Sequence, residues 1–520
     1  MSTKEPAESE EVRFEDLDLV HISSFDLGAP VEPKDLEKLL EQFSERYMVE
    51  GVWIPPEKAG PPPRFVYHKM KELGINADKI NKEEELIEEL IKNKELGEEV
   101  DRTLAIFKGI FSKDVLSFDP EYLELGRYVR LKLPDLNVSI KDPELSYLNE
   151  LKCELYLLLH SAGVAVLTTW IHLNGNFSTD DLIKIVGKLY KAKCTIKDPF
   201  GNIIGGTLRG FIIQFIIKPL YAAVLFKGEY GSYDAVFDAL EKGDITGDKI
   251  SEKLRTPFIP TRAVVCIRKH RCGKCATAED AVENHLREIA GISRLHEDWR
   301  YYREDTARKD LGENLSSDLD YAIFVTDGAA SLFLGSATLD EELKSEEDRE
   351  LAYRIAELDL VQPMEFLSLS DMILRVYTSV YRSKFKDLRE RRRRGETVRP
   401  SEVMEIREKL MDGLEEYNNV SLFIKDPNRS IMEYGKERFR LSDEVDALRS
   451  LLEELSDMAR TLYEEEISRK QTILTAYFGM FGALGSLLLL PQPFNVVATA
   501  AFLLYPTYEL LSFLYRRMKG

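Results

Sequence analysis

The chain has 520 residues, 44% of them hydrophobic, and a formal net charge of -20, enough for two or three domains with real cores. That charge argues against a nucleic-acid partner and suits a protein that attracts cations. Five cysteines in this length make no disulfide framework and fit a reducing cytosol.

Residues 1–17 are acidic and polar without a signal-peptide pattern, and are expected to be a disordered tail. Residues 18–120 read as a mostly helical N-terminal region. Asp18 to Phe25 makes a short strand, and Pro33 to Tyr47 a helix with Leu36, Leu39, Leu40 and Phe43 on one side. Pro55, Pro56 and Pro61 to Pro63 mark a loop. Asn81 to Phe111 follows as a long charged helix, bent near Gly97.

Residues 121–357 read as an α/β (α+β) cytosolic domain on a mixed sheet. Tyr128 to Leu133 is a strand, and Cys153 to His160 and Val164 to Leu173 form a hairpin around Ser161-Ala162-Gly163. Ser178 or Thr179 caps a helix to about Ala192. Gly201, Gly205, Gly206 and Thr207 lack the lysine a phosphate loop needs. Phe211 to Phe226 is apolar, but Gln214, Lys218 and Pro219 interrupt it, so a buried helix or strand pair is expected rather than a membrane span. Arg262 to Arg268 is a strand, Thr277 to Ile289 a helix, and Tyr321 to Leu334 a hairpin around Asp327-Gly328.

Cys266, His270, Cys272 and Cys275 are the metal-like cluster, with Cys272-Gly273-Lys274-Cys275 carrying the gap of a zinc knuckle. One reading is a structural zinc site. The other is a strand ending in a turn before the Thr277 helix. No nucleophile–base pair or carboxylate pair stands out, so no enzyme is expected.

Residues 358–440 read as a helical hairpin, with Met364 to Arg394 amphipathic, a second helix from Pro400, and a basic cluster at Arg389 and Arg391 to Arg394. That cluster is either a solvated helix end favoured by the dipole or a contact for anionic lipid. Residues 441–470 read as a coiled-coil-like stalk. Leu441, Val445, Leu448, Leu452, Leu455, Ala459 and Leu462 alternate four and three apart.

From Gln471 to Tyr508 there is no charged side chain. Thr472 to Leu490 and Asn495 to Tyr515 are apolar runs of roughly the 20 residues a span needs, broken at Pro491-Gln492-Pro493. Residues 471–515 therefore read as a two-helix transmembrane hairpin, followed by a basic tail at 516–520. Arg469, Lys470, Arg516, Arg517 and Lys519 place both termini in the cytoplasm of a multi-pass cell-membrane protein. Glu509 lies inside the second span, as an interfacial or a functional carboxylate.

One further stripe runs along the stalk and the first span. Glu454, Asp457, Thr461, Glu464, Ser468, Thr472, Thr475, Gly479, Gly482 and Ser486 follow at steps of three and four. It reads either as the wall of a cation pore or as a solvated face continuing into a tight helix-packing face.

This layout resembles the CorA-type divalent-cation transporter superfamily: a cytosolic α/β domain, a stalk helix continuing into the first membrane helix, a short external loop, a second membrane helix and a basic tail. The resemblance implies a homopentamer in membrane lipid with the first span lining a pore for a divalent cation such as magnesium. The family's Gly-Met-Asn signature is absent from the outer end of the first span, where Leu487 to Leu490 and Pro491-Gln492-Pro493 stand instead. Two functions stay open: an oligomeric divalent-cation channel or transporter, and a membrane-anchored oligomeric scaffold or sensor whose cytosolic domain binds a partner.

Overall fold

The computed structural model describes residues 12–31, 127–198, 201–272, 275–336, 346–422 and 428–489, together with 51–54, 64–67, 110, 424 and parts of 35–46. It is a mixed sheet followed by long C-terminal helices.

Among the described residues, eleven strands make one sheet: β1 (Arg13–Asp26), β2 (Gly51–Ile54), β3 (Arg64–Tyr67), β4 (Tyr128–Ile140), β5 (Glu150–His160), β6 (Val164–Phe177), β7 (Lys193–Lys197), β8 (Ile203–Thr207), β9 (Thr261–Arg271), β10 (Tyr321–Phe324) and β11 (Ala330–Gly335). The order is β10-β11-β9-β1-β6-β5-β4-β2-β3, with β7 also on β4 and β8 on β7. Only β11 and β9 pair in parallel among the described strands. The β5–β6 hairpin closes at His160 opposite Val164, and its turn needs Gly163 at φ 75°.

Strand β1 begins at Arg13, inside the stretch expected to be tail, because Phe14 finds partners on both β6 and β9 and is buried. Residues 1–11 and most of the expected helix at Asn81–Phe111 lie outside the described residues. The described positions of 35–46 are helical, and Leu39, Leu40 and Phe43 are buried as their spacing predicts.

Alternation along each strand makes two faces. One carries Leu17, Leu19, Leu131, Leu155, Leu167, Val265 and Ile267, in a single apolar core with α1 (Thr179–Lys188), α2 (Leu208–Tyr230), α3 (Tyr233–Glu241) and α6 (Leu286–Arg294). Ser178 is the cap of α1, in a reciprocal capping box with Asp181. Helix α2 is the one described helix that length and composition would allow to cross a membrane. Its Ile212, Ile217, Leu220 and Ala223 are buried in this core, the buried-helix outcome its interruptions suggested. A π-turn at Ile213–Ile217 precedes Pro219, where the missing N–H relaxes the ladder.

The remaining elements follow in order: α4 (Gly247–Lys253), α5 (Ala278–Asn284), α7 (Glu304–Leu311), α8 (Glu346–Arg393), α9 (Pro400–Leu422), α10 (Asn428–Arg438) and α11 (Leu441–Leu488). The chain forms two compact units, Met1–Arg382 with Leu410–Arg449, and Ser383–Lys409 with Ser450–Gly520.

The second sheet face sets buried charges among apolar residues such as Val20, Leu158, Val166 and Val264. Asp18, Arg130, Thr168 and Arg268 lie under α8, whose Arg354, Glu357, Glu365 and Asp371 are buried opposite them. Asp18 Oδ2 accepts from Arg268 Nη2 at 2.7 Å, and Arg268 Nε donates to Glu357 Oε1 at 2.6 Å. Arg130 reaches Glu365 at 2.7 Å, and Arg262 reaches Asp371 at 2.8 Å. Arg354 stacks on Trp170 with its guanidinium 4.2 Å from the ring. Burial would raise the Asp18 carboxyl, but Arg268 and Arg354 outweigh it and hold it well below its usual value. Glu357 goes the other way, raised to about 7 by burial with Asp18 adding to it against the pull of Arg268.

Candidate functional site

Three places carry chemistry: the stripe on α11, a thiol–imidazole cluster beyond β9, and a basic cleft at one end of the sheet.

Helix α11 bears the expected heptad on one side. Leu441, Val445, Leu448, Leu455, Ala459 and Leu462 are buried, and Leu452 is half-buried. The ten stripe residues are all exposed. Near the base, Glu454 is engaged by Arg389 at 3.3 Å, and Asp457 shares a cavity wall with Arg389, Arg392 and Arg393. The basic cluster has further intramolecular partners: Arg391 meets Glu402 at 2.8 Å, and Arg392 meets Glu465 at 2.6 Å. The lowest carboxylate of the stripe thus answers the hairpin tip as well as solvent. Higher up, Thr461, Thr472 and Ser486 donate to the carbonyls of Asp457, Ser468 and Gly482 at 2.8–3.0 Å. Each oxygen keeps its lone pairs turned outward. An added Cβ at Gly479, Gly482 or Gly485 would meet nothing within 4 Å.

From Gln471 to Leu489 every described side chain is exposed or half-exposed, including Ile473, Leu474, Phe478, Phe481 and Leu489. The second expected span, Asn495 to Tyr515, and Glu509 within it lie outside the described residues.

The metal-like cluster has a different membership from the one its spacing suggested. The thiols of Cys272 and Cys275 and a ring nitrogen of His285 lie within 4.8 Å of one another. Cys266 is six extended residues, about 20 Å, from Cys272, and it sits buried between Asp18 and Phe333. Burial pushes its thiol well above the usual value. His270 stays on β9 opposite Phe14 and is not part of the group. The missed residue, His285, sits ten positions beyond Cys275, where α5 ends and α6 begins at φ -126°, ψ 32°. The available signal was two cysteines and a histidine on either side of one short helix, which carries His285 outside the ten-residue cluster of cysteines.

The cleft measures about 750 Å³ and opens where β1 ends and β9 and β11 begin. Lys191, Arg209, Arg262, Arg438 and Arg440 line it with a single carboxylate, Asp327. Arg262 lies 3.9 Å over the ring of Phe439 and gives one nitrogen to Asp371, while its Nη1 is buried without a partner. His21 stacks on Tyr190 with centroids 4.6 Å apart, and its Nδ1 also has none. Burial lowers His21 to about 4, so the ring is neutral near pH 7. Asp327 is 3.3 Å from Arg294 and 4.0 Å from Arg438. Among the described residues, Lys191, Arg209 and Arg440 enter no ion pair. No repeat or motif marks this cleft in the sequence, since its residues come from eight separate stretches.

No protein-family model, no curated protein and no solved structure matches the chain.

Proposed function

We propose that the chain is a membrane-anchored oligomer that passes divalent cations through a pore lined by the upper part of α11, in the manner of the CorA-type transporters it resembles. The observation that carries this reading is the apolar end of α11. A helix that emerges from a charged stalk, loses all charge at Gln471 and exposes Ile473, Leu474, Phe478 and Phe481 on the side away from its Thr/Gly/Ser stripe suits a surrounding of lipid or further copies.

The stripe supports a pore within that assembly. Around a central axis, outward lone pairs of Thr472 and Ser486 and the bare backbones at Gly479 and Gly482 give oxygen-rich, narrow walls suited to hard cations. Glu464 and Ser468, exposed just below, would gather cations at the cytosolic mouth. The same small residues suit a non-conducting anchor, in which they pack helix on helix.

Flux separates the two. Purified protein in liposomes should admit Mg, Co or Ni ions, Thr475→Leu and Gly479→Leu should reduce entry at least tenfold, and particle size should remain that of the oligomer. An assembled protein that passes none of these ions would overturn the channel and leave the anchor.

A further inference from the structure

The geometry points to a second binding function: the cleft bounded by Lys191, Arg209, Arg262, Arg438 and Arg440 is a site for a small phosphate-bearing anion of nucleotide size. This goes beyond ion passage and holds whether or not the chain conducts.

Charge is the first argument. A chain of net charge -20 collects five cations and one carboxylate around a single cleft. Three of the five, Lys191, Arg209 and Arg440, have no ion pair among the described residues. Hydrogen bonding at the cleft is also unmet. Arg262 Nη1 and His21 Nδ1 are buried at the cleft without partners, each a cost that a polar ligand removes. A guanidinium stacked on Phe439 and anchored by Asp371 is held ready to bind an oxyanion without losing side-chain freedom.

Size and lining decide the class. About 750 Å³ exceeds what inorganic phosphate fills and falls within the range of small-molecule sites. Phe258, Ile259, Pro260 and Leu295 add an apolar wall suited to the ring of a nucleoside. Arg440 lines the cleft directly before the first residue of α11, at φ 54°, a left-handed conformation that any residue with a Cβ adopts at a cost. The occupant would therefore touch the residues that start the stalk.

Isothermal calorimetry on the full chain in detergent, with ATP, AMP and inorganic phosphate as probes, tests the site. One ATP or AMP per chain should bind, weaken as salt rises, and bind at least tenfold more tightly than phosphate. Arg440→Gly keeps the backbone conformation and removes the charge, so it should bind at least tenfold more weakly while its unfolding temperature without ligand is unchanged or higher. Arg209→Gln should do the same. Absence of binding by all three probes at millimolar concentration would overturn the proposal, as would binding that neither substitution alters. Equal affinity for phosphate and nucleotide would overturn the nucleotide-sized class.

Independently, we infer that Cys272, Cys275 and His285 supply three ligands to a zinc ion. His285 Nε2 faces Cys272 Sγ at 3.0 Å, and on its other side Nδ1 meets the buried carboxylate of Glu288 at 3.3 Å. That carboxylate–histidine relay fixes the ring for metal ligation through Nε2. The ion would tie the end of β9 to the break between α5 and α6. Elemental analysis should find one zinc per chain, lost in Cys272→Ser and His285→Ala, with cobalt substitution giving thiolate-to-metal absorption. A metal-free protein whose Cys272 and Cys275 resist alkylation until reduced would overturn it in favour of a disulfide.

Discussion

At the scale of single residues, the charges under α8 show how position changes the meaning of a side chain. Asp18 is fully buried and faces both Arg268 and Arg354. Asp18→Asn removes the charge and leaves two guanidinium groups without it, so a loss of about 3–5 kcal/mol is expected, read as a lower midpoint in thermal unfolding. Protons act here too. His160 is fully buried, accepts from the Ala162 N–H at Nδ1, and is lowered by burial to about 3. His21 is lowered to about 4. Both bind protons more readily when unfolded, so their share of stability is complete above the ordinary histidine value near 6.5 and is lost as pH falls toward the folded values. Glu357, raised to about 7, acts oppositely as pH rises from its ordinary 4.5. His160→Asn, which keeps an acceptor near Nδ1, should flatten the fall in unfolding temperature between pH 6.5 and pH 5 without changing the profile at pH 8. Little of this was legible beforehand. Asp18, Arg130 and Arg268 alternate with apolar neighbours as solvent-facing strand residues do, and only the opposing charges on α8, more than 200 residues from β1 and β4, turn that face into an interior.

Elements fixed by neighbouring residues were the readable ones. The β5–β6 hairpin, the Ser178 cap and the heptad of α11 depend on local spacing and turn chemistry, and all stand where those place them. Strands that depend on remote partners were missed or shortened. The β4 strand runs on past Pro134 through a register shift between Leu133 and Leu136, and the short β7 and β8 exist by pairing with it and with each other. The metal-like group failed for the same reason, since His285 joins Cys272 only after a helix has turned back. Gly163 offers a test at this scale. A Cβ there would stand 2.0 Å from the Ala29 carbonyl oxygen, on a backbone that already needs positive φ. Gly163→Ala should therefore destabilise the sheet unit by about 2 kcal/mol or more, measured as a shift in thermal midpoint. An unchanged midpoint would mean the turn can rearrange freely.

For the whole molecule, the proposed anchoring of the uncharged end of α11 in a membrane has a direct test. The chain is expected to sediment with membranes, to stay there through high salt and alkaline carbonate, and to leave only with detergent. Release by salt alone would mean that charge, rather than the apolar helix, holds it. The layer of ion pairs between the sheet and α8 has a further consequence, one of temperature. Charged groups lose hydration free energy as water warms, so the cost of burying them falls on heating, while the benefit of apolar burial levels off. Exchanging a whole pair such as Arg130 and Glu365 for apolar side chains would help this fold in the cold. The same exchange would help progressively less, and finally not at all, in an organism that lives hot.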